Sequence, residues 1–145
     1  MKISIQDLKN DINARFGGET DSACFGVVET IYNYKEDSLS LKVAHYLDND
    51  SGKVYKLTFD NVACYRVADE RYKNEFKGEK FEGFSFFWQI EKSQFREDFN
   101  SWSIYEKIHG SEQFRKLKSY RIIGQNSFVD ILTTEEPMIE LKEDE

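Results

Sequence analysis

The sequence predicts an α+β fold: a twisted antiparallel sheet of about six strands with two or three helices packed on it. Three features of the 145 residues carry that expectation. Several segments alternate apolar and polar residues with the two-residue period of a half-buried strand. Two segments headed by serine repeat apolar residues at helical spacing. The elements run helix, strands, helix, strands, without the regular alternation that a parallel sheet requires.

Taken in order, Ile5, Leu8, Ile12 and Phe16 share one helical face. Ser4 stands at the N-cap with Asp7 three residues on, close to a capping box, and Gly17-Gly18 closes the helix. Cys24 to Tyr34 is rich in β-branched and aromatic residues and apolar on both faces, which predicts a central strand. Leu39 to Leu47 and Val54 to Phe59 flank the turn cluster Asp48-Asn49-Asp50-Ser51-Gly52 and read as a β-hairpin. Asp60-Asn61 interrupts the pattern as a bulge or a short turn, and Val62 to Val67 resumes it. Residues 69–83 are charged and read as a long exposed loop. Phe84, Phe86, Trp88 and Ile90 alternate as the next strand, so Phe86 and Trp88 are expected in the core with Leu41. Ser93 caps a second helix carrying Phe95, Phe99 and Trp102, and Ser111 starts a short third one. Ser119 to Ile123 and Phe128 to Thr133 form a last hairpin around Gly124-Gln125-Asn126. Pro137 ends the pattern. The chain thus reads as one α+β domain over residues 1–136 and a solvated acidic C-terminal tail over 137–145, dispensable for folding.

Charged residues make up 32% of the chain, but the 15% that are aromatic bury enough area to offset chain entropy. A chain this long builds its core without disulfides or metals. The first residues turn polar at once and no apolar run approaches a membrane span, so a cytoplasmic protein with no membrane partner is expected. Cys24 and Cys64 lie in apolar segments without CxxC spacing and read as buried free thiols of a reducing compartment. Of the net charge of −7, residues 135–145 hold −5, six acidic groups against Lys142. Residues 107–121 run the other way, with Lys107, Arg115, Lys116, Lys118 and Arg121 against Glu112. Such mixed charge gives no single field to steer nucleic acid, which is not expected as a partner.

No motif supplies a catalytic or cofactor site, so no cofactor and no metal are expected. His45 and His109 lack zinc-ligand spacing; His45 shares strand parity with Val43 and Leu47, and His109 precedes Gly110 at a helix end. Asp48 to Phe59 fails as a calcium loop, with Gly52, Lys53 and Phe59 at three required positions. Gly78 and Gly83 have the gap of a P-loop, but Phe84 replaces its lysine. The acidic pairs Asp69-Glu70 and Glu135-Glu136 are adjacent in sequence, so on a strand they point to opposite faces.

Two stretches carry a resemblance. Leu57 to Glu70, LTFDNVACYRVADE, has the form F-x-x-V-x-x-Y-R-V-x-x-E. The aromatic strand FSFFWQIEKSQF (Phe84–Phe95) is followed by SYRIIGQNSFVDILTTEEPMIEL (Ser119–Leu141), with a hairpin Y-x-I-x-x-x-x-x-x-V-D-I-L and then E-P-x-I. Over about half the chain this resembles small uncharacterised proteins of Gram-positive bacteria, some of them similar to immunity proteins that accompany polymorphic toxins. The resemblance implies a non-catalytic domain whose partner is another bacterial protein, a toxin. It brings no catalytic residues.

The partner-binding candidates lie in the polar connection from Asp69 to Gly83. They are Asp69, Glu70, Glu75, Glu79 and Glu82, interleaved with the aromatic Tyr72, Phe76 and Phe81. Aromatic anchors among charges suit an interface with an apolar centre and a polar rim. Two other readings compete: a small-molecule-binding protein or enzyme with a pocket between sheet and helices, and a homo-oligomeric module with an exposed sheet edge.

Overall fold

The computed structural model describes residues 2–18, 20–46, 53–69 and 79–143. The fold is α+β and antiparallel, but the strands form two five-stranded sheets where one sheet of about six was expected. The first sheet has the order β1 (Lys2–Ile3), β10 (Met138–Glu143), β4 (Lys53–Phe59), β3 (Ser38–His45), β2 (Phe25–Asn33). The second has the order β5 (Val62–Asp69), β9 (Ser127–Thr133), β8 (Lys118–Ile123), β7 (Phe87–Ile90), β6 (Phe81–Phe84). The chain changes sheets at Asp60-Asn61. There Asn61 takes a left-handed φ of 52°, which asparagine tolerates better than most residues. The Val62 N–H then donates to the Asp37 carbonyl at 2.9 Å, and the Thr133 hydroxyl donates to the Asp60 carbonyl. The interruption is thus a corner between layers.

Further expectations are corrected. Residues 138–143 are not a free acidic tail. Ile139 and Leu141 alternate with Glu140 and Lys142, and β10 pairs with β4 on one side and β1 on the other. Ile139 is fully buried, and its burial outweighs the charge of its neighbours. Buried Pro137 precedes this strand, a place where its missing N–H costs little. The strand β2 is an edge, not central; a bulge at Val28 and an exposed Ile31 account for its second apolar face. Phe84 to Ile90 is not one strand but the bend of a β6–β7 hairpin, so residues 81–83, expected in a loop, are paired. Ser85 turns at φ 53° and drives Phe86 into the core against Phe25, ring centroids 4.9 Å apart. Gly83 permits this hairpin, because a Cβ there would lie 2.4 Å from the Phe87 carbonyl. Trp88 is half-buried rather than buried, stacked on Phe81 at 4.2 Å.

The main core fills the space between the sheets. Leu41, Val43, Leu57, Phe59 and Ile139 from the first meet Phe87, Tyr120, Ile122, Val129 and Ile131 from the second. Helix α1 (Ile5–Phe16) adds Leu8 and Ile12 to this cluster. Its capping box is complete: the Asp7 N–H donates to Ser4 Oγ at 3.0 Å and the Ser4 N–H to Asp7 Oδ2 at 3.3 Å. Helices α2 (Gln94–Trp102), α3 (Tyr105–His109) and α4 (Ser111–Arg115) cover the outer face of the second sheet. Phe95, Phe99, Phe114 and Leu117 pack there with Leu132 of β9. Ser93 caps α2 by accepting the Arg96 N–H at 3.0 Å.

Candidate functional site

Four of the expected partner-binding residues, Glu70, Tyr72, Glu75 and Phe76, lie outside the described residues. The other four separate. Asp69 ends β5 opposite Ser127. Phe81 and Glu82 sit exposed on β6, the far edge of the second sheet. Glu82 shares a small cleft of about 250 Å³ with Gln6 and Lys9 of α1. Glu79 departs from the expectation of an exposed binding group: its side chain is only 4% exposed and is held by the protein itself.

What holds Glu79 is a chain of charges on the helix-covered face of the second sheet. Arg66 of β5, Asp130 of β9 and Arg121 of β8 stand directly opposite one another across the strands. Arg66 Nε donates to Asp130 Oδ2 at 2.7 Å, and Arg121 Nε to Asp130 Oδ1 at 2.6 Å. Arg121 Nη1 then reaches Glu79 Oε1 at 3.0 Å, while Glu79 Oε2 accepts the Gln94 N–H at the start of α2 at 3.2 Å. Asp130 is 0% exposed and Arg121 is 1% exposed, so each charge is compensated by a hydrogen-bonded opposite charge. Arg66, half-exposed, lies over the Phe95 ring at 4.6 Å. These groups tie the segment before β6 and the start of α2 to the sheet, and both carboxylates use both of their oxygens in doing so.

The sequence reading missed a different surface. Trp102, Ile104 and Ile108 are 67%, 60% and 65% exposed, three large apolar side chains within seven residues. Trp102 shares α2 with the buried Phe95 and Phe99, but the helix ends there and its indole extends outward, edge-on to Phe99 at 5.2 Å. In α3, Tyr105 packs against the small cluster beneath the helices while Ile108 faces water. Ile104 and Ile108 are four residues apart, and that spacing was the available signal for an apolar helical face away from the core. Exposed Ser101 and Lys107 flank this ledge.

His45 is buried between the stacked rings of Phe16, at 4.0 Å, and Tyr46, at 5.5 Å. His109 ends α3, 4.4 Å from the Tyr105 ring. Cys24 and Cys64 are not joined in a disulfide and are only half-buried; burial pushes the Cys64 thiol pKa up, against the opposing effect of Arg66. Among the described residues, no group of three or more His, Cys, Asp or Glu is placed to hold a metal ion, and no helix is long and apolar enough to cross a membrane. Comparison with protein-family models, curated proteins and solved structures finds no match to this chain.

Proposed function

We propose that this chain is a non-catalytic protein-binding domain that works in the cytosol and neutralises a bacterial toxin by occupying it, as the resemblance implies. The observation that supports binding is the ledge of Trp102, Ile104 and Ile108. Exposed tryptophan and isoleucine side chains cost hydration free energy that a partner's apolar surface would recover. Tryptophan is among the residues that most often dominate interface energetics. The ledge is backed by buried Phe99 and Phe114 on a five-stranded sheet, so its anchors lose little freedom on binding. Phe81 and Glu82 on the β6 edge belong to a second contact in the same proposal, with the adjoining residues 70–78.

Sequencing the gene's neighbourhood and co-expressing any toxin encoded there tests the reading; a neighbourhood without one counts against it. Wild type is expected to restore growth. The double substitution Trp102→Glu with Ile108→Glu is expected to lose rescue with only a small fall in melting temperature, since both side chains are mostly exposed and only the Trp102 edge touches buried Phe99. Full rescue by that variant removes the ledge from the interface. A toxin neighbour whose activity the wild-type chain leaves untouched removes the neutralising role.

A further inference from the structure

Between the second sheet and its covering helices lies an open cleft of about 460 Å³, and four of its walls' side chains are cationic: Arg96, Arg115, Lys116 and Lys118. That volume is on the scale of small-molecule sites. Among the described residues, Glu91 is the one acidic group in the lining, on a chain whose net charge is −7. The more buried cations elsewhere have carboxylate partners: Arg15 with Asp11, Lys42 with Glu29, and Arg121 with Asp130 and Glu79. None of the four cleft cations is so paired among the described residues.

Arg96 is the organising member. Its backbone N–H is used by the Ser93 cap, which fixes the residue in the first turn of α2. Its Nη1 donates to the Leu117 carbonyl at 3.3 Å, and its guanidinium lies 5.9 Å from the centre of the Phe114 ring. The Nε is buried without a hydrogen-bond acceptor. The guanidinium is therefore positioned wholly by neutral groups, and its charge is left uncompensated beside Arg115, Lys116 and Lys118. Ile90 and Leu117 supply apolar walls, and Thr134 a hydroxyl.

We infer that this cleft binds a small organic phosphate, with Arg115 as a forked donor, Arg96 as a fixed charge that donates through its outer nitrogens, and the two lysines as point charges around clustered phosphate oxygens. Several converging cations favour a ligand with more than one negative charge, and arginine with lysine suits phosphate geometry. The site is separate from the Trp102 ledge and stands whether or not that ledge binds a toxin.

Titration with inorganic pyrophosphate, at constant ionic strength, provides the test by calorimetry and by amide shifts. Saturable binding at one site is expected, with shifts centred on residues 90–96 and 115–118. Arg96→Gln is expected to weaken it by about tenfold or more, the loss of one charge-assisted contact. Because Arg96 also supports Leu117, the exposed pair Arg115→Glu with Lys116→Glu serves as the second variant; it should weaken binding at least as much at an unchanged melting temperature. Trp102→Glu should bind as wild type does. Non-saturable shifts, or unaltered affinity in the Arg115→Glu, Lys116→Glu variant, would overturn the site. Equal affinity for citrate would overturn the assignment to phosphate.

Discussion

Each sheet carries a row of five positions that crosses all of its strands, and the two rows meet different surroundings. In the first sheet, Lys2, Glu140, Lys56, Lys42 and Glu29 stand side by side on the face turned away from the core. In the second, Arg66, Asp130, Arg121, Trp88 and Gly83 stand side by side beneath α2 and the segment before β6. The first row tolerates two adjacent lysines. Its side chains reach water, where like charges repel weakly, and Lys42 leans 3.4 Å from Glu29. The second row admits no such pair: its charges alternate in sign, each is hydrogen-bonded to the next, and the row ends in an aromatic ring and a glycine. The same cross-strand geometry therefore imposes a strict sequence only where the helices exclude water.

The largest test of this contrast is Asp130→Ala. It takes from the buried Arg121 its shortest charge-assisted hydrogen bond and is expected to cost about 3–5 kcal/mol in urea unfolding. Replacing the buried charges together, with Arg121→Met, Asp130→Leu and Glu79→Gln, should recover most of that loss, because no charge is then stranded. A triple variant as unstable as Asp130→Ala would mean that shape, not charge compensation, governs the row. Next in size is Gly83→Ala. Its Cβ would fall 2.4 Å from the Phe87 carbonyl and 2.7 Å from the Trp88 Cα, so the hairpin backbone must shift, at about 1–3 kcal/mol.

Tyr120 probes the other face of the second sheet, where there is no such row. Its hydroxyl is buried without a hydrogen-bond partner among the described residues, and burial, with a smaller contribution from Glu136, pushes its pKa up to about 12. Below pH 10 the tyrosine is neutral folded or unfolded. Between about 10 and 12 the unfolded chain loses the proton and the folded one keeps it, so wild-type stability falls as pH rises through that window. Tyr120→Phe should change neutral-pH stability by less than about 1 kcal/mol and remove this part of the alkaline loss. An alkaline unfolding profile identical in the two proteins would contradict the buried, unpaired hydroxyl. The smallest effect belongs to the exposed row: Lys42→Ala should cost about 0–1 kcal/mol, less at high salt. A loss comparable to that of Asp130→Ala would erase the distinction between the rows.

Local signals made much of the fold legible. Ser4, Asp7 and Gly17 fix α1 through groups within a turn of each other, Ser93 does the same for α2, and Gly124 to Asn126 marks the β8–β9 hairpin. The division into two sheets was not legible, because which strand follows the Asp60-Asn61 corner into which layer depends on partners far along the chain. β10 was hidden by its own chemistry: a strand with one face in water carries charges at alternate positions, and Glu140 and Lys142 made it look like a tail. In the candidate site, Glu79 looked like every other acid in a polar stretch. Its buried role depends on Arg121, reached only through the fold. Arg121 and Asp130 were open to a closer reading, each a single charge inside an apolar strand of one hairpin, aligned by the turn between them.

The seat of β10 also bears on how the chain assembles during synthesis. The hairpin β8–β9 can close as soon as it is made, since its partners are neighbours in sequence. The first sheet cannot. β4 is translated long before β10, and until β10 is made β4 presents an open edge alongside Tyr55 and Leu57. β1 precedes every other described strand, yet its pairing partner is β10, Lys2 opposite Glu140. The earliest described strand is thus among the last to find its place, and the growing chain carries a vulnerable, unpaired sheet margin from the synthesis of β4 until that of β10.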